Sequence, residues 1–174
     1  MELKEVILVD EEDQPLGVME KMEAHRQGLL HRAFSVFILN ERGEMLLQKR
    51  ALQKYHSPGL WTNACCSHPS PGELTLTAAV RRLDEEMGFK CALTEIGAFT
   101  YETKFENGLV EHEFDHVLLG LYGGEIYPNR SEVDEYKWIT ISDIERDIMA
   151  NKDAYTSWFH LAYPVVKSWL GKSA

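Results

Sequence analysis

Apolar positions along this chain follow two rhythms: short apolar runs between polar turns, and a three-to-four-residue recurrence. The first marks strands and the second helices. Residues 3–9 form an apolar run, 11–17 a polar turn, and 18–22 a return, which predicts an N-terminal hairpin. Residues 23–30 are mixed and end near Gly28. Residues 33–39 predict a buried strand, followed by a turn at Asn40-Glu41-Arg42-Gly43 and a return strand over 45–49. Residues 51–59 read as a loop. Over 72–87, Leu76, Ala79, Val80, Leu83 and Met87 recur at helical spacing, and Gly88 stops the helix. Residues 91–105 and 110–122 predict a second antiparallel pair around Glu106-Asn107-Gly108, and 135–139 a shorter strand. A helix is expected from Ile141 to the region of Asn151 with Ser142 as its cap, and a last one over 154–170, interrupted near Pro164. Strands, a helix, strands and then helices predict an α+β fold, a mixed α/β sandwich with the sheet between helices, in a single domain over 1–174.

The length, 174 residues, suits one domain with a sizeable core, and 44% hydrophobic with 26% charged residues is ordinary for a globular protein. A net charge of −10 argues against nucleic acid as partner, because phosphate backbones need a basic face. It leaves room for a small anion held by a few local cations. The three cysteines, two of them adjacent, do not form a disulfide framework and read as thiols in a reducing compartment. The N-terminus lacks the pattern of a signal peptide and no apolar run reaches membrane-helix length, so the expected location is cytoplasmic.

Chemistry concentrates in two places. The stretch 61–69 carries Cys66 two residues before His68. Glu111 and Glu113 sit two apart on an expected strand, hence on one face, with His112 on the other. Carboxylates so crowded repel unless a cation or a shared proton intervenes. An isolated Glu-X-Glu is more often a solvated strand face, but here an apolar run, 117–121, follows directly. Histidine is common, at seven residues, and His25, His31 and His68 are the candidate nitrogen ligands for zinc, manganese or iron. The residues alone do not select three of the seven. Cys66 is a candidate acid/base if a nearby positive charge lowers its pKa, whereas most cysteines merely pack as small hydrophobes.

The helix region carries a resemblance. Glu73, Arg81, Leu83, Glu85, Glu86, Gly88 and Phe89 fall on the spacing of the Nudix box, G-x5-E-x7-R-E-U-x-E-E-x-G-U, where U is aliphatic. Ser67 replaces its first glycine, and Arg82 replaces the first of its metal-binding glutamates. Together with the segments 24–35 and 61–69 and the Glu111-His112-Glu113 triplet, this chain resembles the type 1 isopentenyl-diphosphate isomerases, a branch of the Nudix fold, from His25 to Trp158.

That resemblance implies a reaction and a set of roles. The family interconverts isopentenyl and dimethylallyl diphosphate, protonating one carbon and deprotonating another on the opposite face through a tertiary carbocation. Cys66 and Glu113 would be the two proton carriers, with Tyr101 beside the glutamate. His25, His31, His68, Glu111 and Glu113 would hold one divalent metal, Mn²⁺ or Zn²⁺. Glu86 and the Cys66 carbonyl would hold Mg²⁺ against the substrate diphosphate. Lys21, Arg50, Lys54 and Arg82 would bind that diphosphate, and Trp158 would close the pocket with its π face toward the cation. The expected partner is thus a small allylic or homoallylic diphosphate, not nucleic acid or membrane, and the protein a monomer or homodimer. The alternatives are a Nudix hydrolase of a nucleoside diphosphate derivative, against which Arg82 argues, and a metal-dependent binding protein without turnover.

Overall fold

The structure is a computed structural model that describes residues 4–172. Positions 1–3 and 173–174 of the expected domain, Leu3 of the first expected strand among them, lie outside the described residues. The elements are β1 (Glu5–Val9), β2 (Pro15–Glu20), α1 (Lys21–Gln27), β3 (His31–Leu39), β4 (Glu44–Arg50), β5 (Trp61–Thr62) and β6 (Cys65–Ser67). There follow α2 (Thr75–Met87), β7 (Leu93–Lys104), β8 (Val110–Leu121), β9 (Val133–Thr140), α3 (Ile141–Ala150), a 3-10 turn (Lys152–Ala154) and α4 (Ser157–Lys172).

The nine strands join in one mixed sheet. Its centre is the parallel pairing of β3 with β8, from His31 opposite Glu113 to Leu39 opposite Leu121. The apolar run of β3 follows from this position, since a strand covered on both faces needs apolar side chains on both. Phe34, Val36 and Ile38 pack with Ala78, Ala79, Leu83 and Met87 of α2 on one face. Phe37 and Leu39 pack with Ile144 of α3 and Phe159, Ala162 and Val166 of α4 on the other. The expected sheet between helices is present. Among the described residues no helix is long and apolar enough to cross a membrane.

Local differences from the sequence reading have physical causes. Residues 18–22 do not form a continuous return strand, because Glu20 ends β2 and caps α1, its carboxylate accepting from Met22 N at 3.0 Å and Glu23 N at 2.8 Å. The box helix α2 starts at Thr75 rather than residue 72, and Leu76 is 46% exposed, the small Ala78 facing the sheet instead. The start of α2 has no side-chain cap of its own. Glu73 accepts from Ser70 N at 3.0 Å and grips Arg81 through two bonds of 2.8 and 2.9 Å, clamping the loop onto the second turn. Thr140, not Ser142, caps α3, accepting from Asp143 N at 3.2 Å, because Ser142 already lies within the helix. The last helix begins at Ser157 and runs through Pro164 without interruption. Buried residues on both sides of that proline, Phe159, Ala162 and Val166, share one apolar cluster that holds both halves in line.

Gly88 ends α2 at φ +76°, and a methyl group there would lie 2.5 Å from the Tyr127 carbonyl oxygen. Gly43 has φ +75° but open space around it. Gly88→Ala is therefore expected to lose clearly more stability than Gly43→Ala, which should lose about 1–2 kcal/mol for the left-handed backbone alone. Thermal and urea unfolding of the two variants check this, and equal losses would contradict the close contact.

Candidate active site and metal centre

Strand alternation builds the site. Glu111, Glu113 and Asp115 lie on one face of β8 and are 3%, 5% and 1% exposed. Across the parallel pairing Glu113 stands opposite His31. On the other side of β3, the short β6 pairs Ser35 with Cys66 and Val36 with Cys65. The adjacent cysteines thus face opposite ways. Cys65 turns to the α2 layer and donates to Glu86 Oε2 at 2.6 Å, while Cys66 turns to the carboxylate side. All three thiols are free.

Four of the expected ligands converge. One nitrogen each of His25, His31 and His68 and one oxygen of Glu113 lie within 4.8 Å of one another. Glu113 Oε2 is 3.2 Å from His31 Nε2 and 2.6 Å from His68 Nε2. The Nδ1 of His25 is 2.6 Å from the Lys21 carbonyl and that of His31 2.9 Å from the Leu29 carbonyl. Donation of Nδ1–H to those carbonyls turns both Nε2 atoms inward, the arrangement of metal-bound histidines, which give up any Nε2 proton to the cation. His25 Nε2 is buried without a hydrogen-bond partner, an orphan that a cation would satisfy. Burial lowers the His25 pKa and brings His68 down to about 4, against the pull of Glu113, whereas at His31 burial is outweighed by the Glu113 carboxylate and the pKa is raised. Burial opposes ionisation of Glu113 too, but His68 and His31 outweigh it and hold its carboxyl well below the usual range. Imidazole nitrogens beside an ionised carboxylate form an N/O set suited to a divalent metal, whose binding displaces any proton the rings carry. The fifth expected ligand, Glu111, stands slightly apart, its Oε2 3.9 Å from His25 Nε2 and 2.8 Å from His56 Nε2. Tyr101 spans the pair, its single hydroxyl proton shared between Glu111 Oε1 and, at 2.5 Å, Glu113 Oε1.

The Cys66 sulfur accepts from Trp158 Nε1 at 2.9 Å and donates toward Asn63 Oδ1 at 3.2 Å. Ser35 Oγ lies 3.7 Å away and itself donates to Asp115 Oδ2 at 2.8 Å. Burial, reinforced by Asp115, pushes the thiol pKa up, so the sulfur carries its proton at rest. Burial and the charge of Glu113 raise Asp115 well above the usual carboxylate range.

Cys66, Glu111, Glu113 and His68 share one cavity with Lys21, Arg50, Lys54, Arg82 and Trp158. Lys21 lies on α1, one turn before His25. Burial, with Lys4 and Lys54 nearby, brings its pKa down to about 8. Lys54 donates to Glu132 at 2.5 Å, and Arg82 spans Glu85, Glu86 and Glu132. The Arg50 guanidinium lies 5.2 Å over the Trp158 ring. Burial raises the pKa of Glu86, with Arg82 pulling the other way.

Comparison with known proteins places this geometry. The NUDIX domain family model matches residues 29–159. An Isopentenyl-diphosphate Delta-isomerase of Pectobacterium atrosepticum is 52% identical over 163 residues, covering 94% of this chain and 91% of that protein. One from Burkholderia multivorans is 47% identical, covering 94% and 96%. The chain belongs to the isopentenyl-diphosphate Delta-isomerase family. Within solved structures, the Deinococcus radiodurans protein DR0079 superposes with a TM-score of 0.77 at 19% identity, covering 93% of this chain and 99% of that one. A MutT NUDIX hydrolase from Burkholderia pseudomallei gives 0.63 at 20%, covering 79% and 98%. At such identities these two speak for the fold alone.

Sequence reasoning missed several residues at this isomerase-family site. Asp115 continues the alternation of Glu111 and Glu113, so the same period-two argument reaches it. Ser35 lies in the 24–35 segment and Asn63 in the 61–69 segment, where neither is given a role by spacing alone. His56, Tyr55 and Glu132 sit where no periodicity marks a facing side, and only the fold brings them in.

The clustered ligands predict that the purified protein binds a divalent cation and that a chelator lowers its melting temperature. Metal at a hundred times its Kd stabilises the fold by about 2.7 kcal/mol. In His31→Ala the chelator-dependent shift should shrink severalfold. Melting curves of wild type that are identical with and without chelator and added metal would contradict the metal centre.

Proposed function

We propose that this chain interconverts isopentenyl diphosphate and dimethylallyl diphosphate by protonating one face of the alkene and deprotonating the other, through a tertiary carbocation. The observation that carries this reading is that Cys66 and Glu113, from different strands, open onto one cavity that also gathers Lys21, Arg50, Lys54 and Arg82. The relatives bearing the isomerase name cover nearly the whole chain, which supports the same reading.

The division of labour follows from the chemistry each group offers. An unactivated alkene is a poor base, so its protonation needs a proton donor held dry and close to the reacting carbon. The half-buried Cys66 thiol and the buried Glu113 carboxyl are the two proton carriers, each acid in one direction of the reaction and base in the other. Tyr101 holds both carboxylates and can pass a proton to or from Glu113. Trp158 anchors the thiol through its indole N–H and offers π density to the cationic intermediate. The cations bind the diphosphate, and burying the substrate behind them excludes water from the carbocation. His25, His31, His68, Glu111 and Glu113 would hold Mn²⁺ or Zn²⁺, while Glu86, expected with the Cys66 carbonyl to hold Mg²⁺, is engaged by Cys65 and Arg82 and would have to exchange those partners to do so. The first metal, when bound, fixes the carboxylates and tunes their proton affinity.

The hydrolase alternative fares worse at one residue. Diphosphate hydrolysis on a Nudix box relies on clustered carboxylates around metal. Arg82 puts a cation among Glu85, Glu86 and Glu132, which suits anion binding instead.

Incubation with isopentenyl diphosphate and Mg²⁺ should yield dimethylallyl diphosphate without release of phosphate. Cys66→Ala and Glu113→Gln should each lower kcat by at least about 10²–10⁴-fold. Sustained turnover in Cys66→Ala would remove the thiol from the mechanism, and phosphate release would point to hydrolysis. Lys21 supplies a pH test. Its folded pKa is lowered to about 8, so its charge is present below that value and lost above it. The ratio kcat/KM should therefore fall as pH rises through about 8, and Lys21→Arg should move that limb upward. A limb that stays in place in Lys21→Arg assigns the fall to another group.

A further inference from the structure

His56 lies in the loop between β4 and β5, is 6% exposed, and has no role in the chemistry described above. Its ring is held on several sides. Phe105 stacks on it with centroids 4.8 Å apart, and Tyr55 and Trp158 meet it edge-on at 4.4 and 5.7 Å. Its carbonyl accepts from the Arg50 guanidinium at 3.2 Å. The next residue, Ser57, adopts φ +51° immediately before Pro58, a left-handed conformation that disfavours a non-glycine residue.

That framework directs one atom. His56 Nε2 is 2.8 Å from Glu111 Oε2. An ionised carboxylate only accepts, so the proton belongs on Nε2. The other ring nitrogen, Nδ1, lies 3.3 Å from Ser57 Oγ, whose hydroxyl can donate to it, which is consistent with that tautomer. Glu111 is then fixed at both oxygens, with Oε1 accepting from Tyr101 and Oε2 from His56. A carboxylate oxygen has two lone pairs, so Oε2 keeps one. His25 Nε2, the orphan nitrogen of the ligand cluster, lies 3.9 Å from this same oxygen. The ligand atoms of His25, His56 and Glu111 all fall within 4.8 Å of one another. A nitrogen that donates its N–H cannot also give a lone pair to a metal, so His56 stands behind Glu111 rather than beside it.

We propose that His56 is a positioning residue of the metal centre: its Nε2–H holds Glu111 so that the remaining lone pair completes the set begun by His25, His31, His68 and Glu113. This rests on reading the cluster as a metal centre and is independent of the reaction catalysed. Hydrogen bonds from outside to a ligating group commonly account for 10- to 100-fold in metal affinity.

The test is calorimetric titration of the metal-free, full-length protein with Zn²⁺, and separately with Mn²⁺. Three variants are compared with wild type: His56→Ala, His56→Phe, which keeps an aromatic ring without the N–H, and His56→Gln, whose amide can donate. His56→Ala and His56→Phe should bind about 10–100-fold more weakly, and His56→Gln should recover most of the loss. Circular dichroism identifies any variant that is unfolded, and the folded variants decide. Wild-type affinity in His56→Ala or His56→Phe overturns the proposal, as does a His56→Gln protein that is folded yet as weak as His56→Phe. Absence of metal binding by wild type would overturn the metal-centre reading itself, and the role of His56 with it.

Discussion

Three carboxylates buried on one strand face are the constraint around which this molecule is arranged. Glu111, Glu113 and Asp115 project from β8 into a region closed by β3 and β6. Removing an ion from water costs several kcal/mol even after relaxation, so each either finds a compensating partner or, like Asp115, keeps its proton. Glu113 has His31, His68 and Tyr101, Glu111 has Tyr101 and His56, and Asp115 has Ser35. The parallel pairing of β3 with β8 fixes which partners are within reach. A one-residue slip would turn every carboxylate toward the opposite helical layer.

The same alternation separates two functions that lie next to each other in sequence. Cys65 reaches the α2 layer and Glu86, while Cys66 faces the carboxylates. The helix of the Nudix box is divided as well. Glu73 and Arg81 clamp its start and have no contact with the cavity chemistry, whereas Arg82 and Glu86 point toward the cationic end of the site. Arg82 thus puts a cation where the Nudix box has a carboxylate, and it pairs with Glu85, Glu86 and Glu132.

How far the sequence could be read depends on periodicity. Strands β3 and β8 and helix α2 have long regular patterns, and their faces follow from period two and period 3.6. The Glu111 and Glu113 pair was legible for that reason, and Asp115 was equally so. The ends of elements were less legible. Thr140 and Ser142 are both good caps, and only the turn geometry selects the first. Pro164 marks a break by its chemistry, yet the packing of α4 overrides it. The histidines illustrate the limit most clearly. His25, His31 and His68 came as a set through family resemblance, while His56 looked like any loop histidine, because its meaning lies in contacts with Phe105, Trp158 and Glu111 that are distant in sequence.

The central claim is that two separate proton carriers, a thiol and a carboxyl, serve one cavity from different strands. Each turnover moves a proton from one carrier to the substrate and from the substrate to the other, so solvent exchange must reset them. Isomerisation of isopentenyl diphosphate in D₂O, followed by NMR at low conversion, reads this directly. Two carriers that exchange with solvent predict deuterium in the methyl group newly formed in dimethylallyl diphosphate. An unlabelled methyl group, with the abstracted hydrogen returned to the same molecule, would show a single carrier shuttling one proton and would contradict the account.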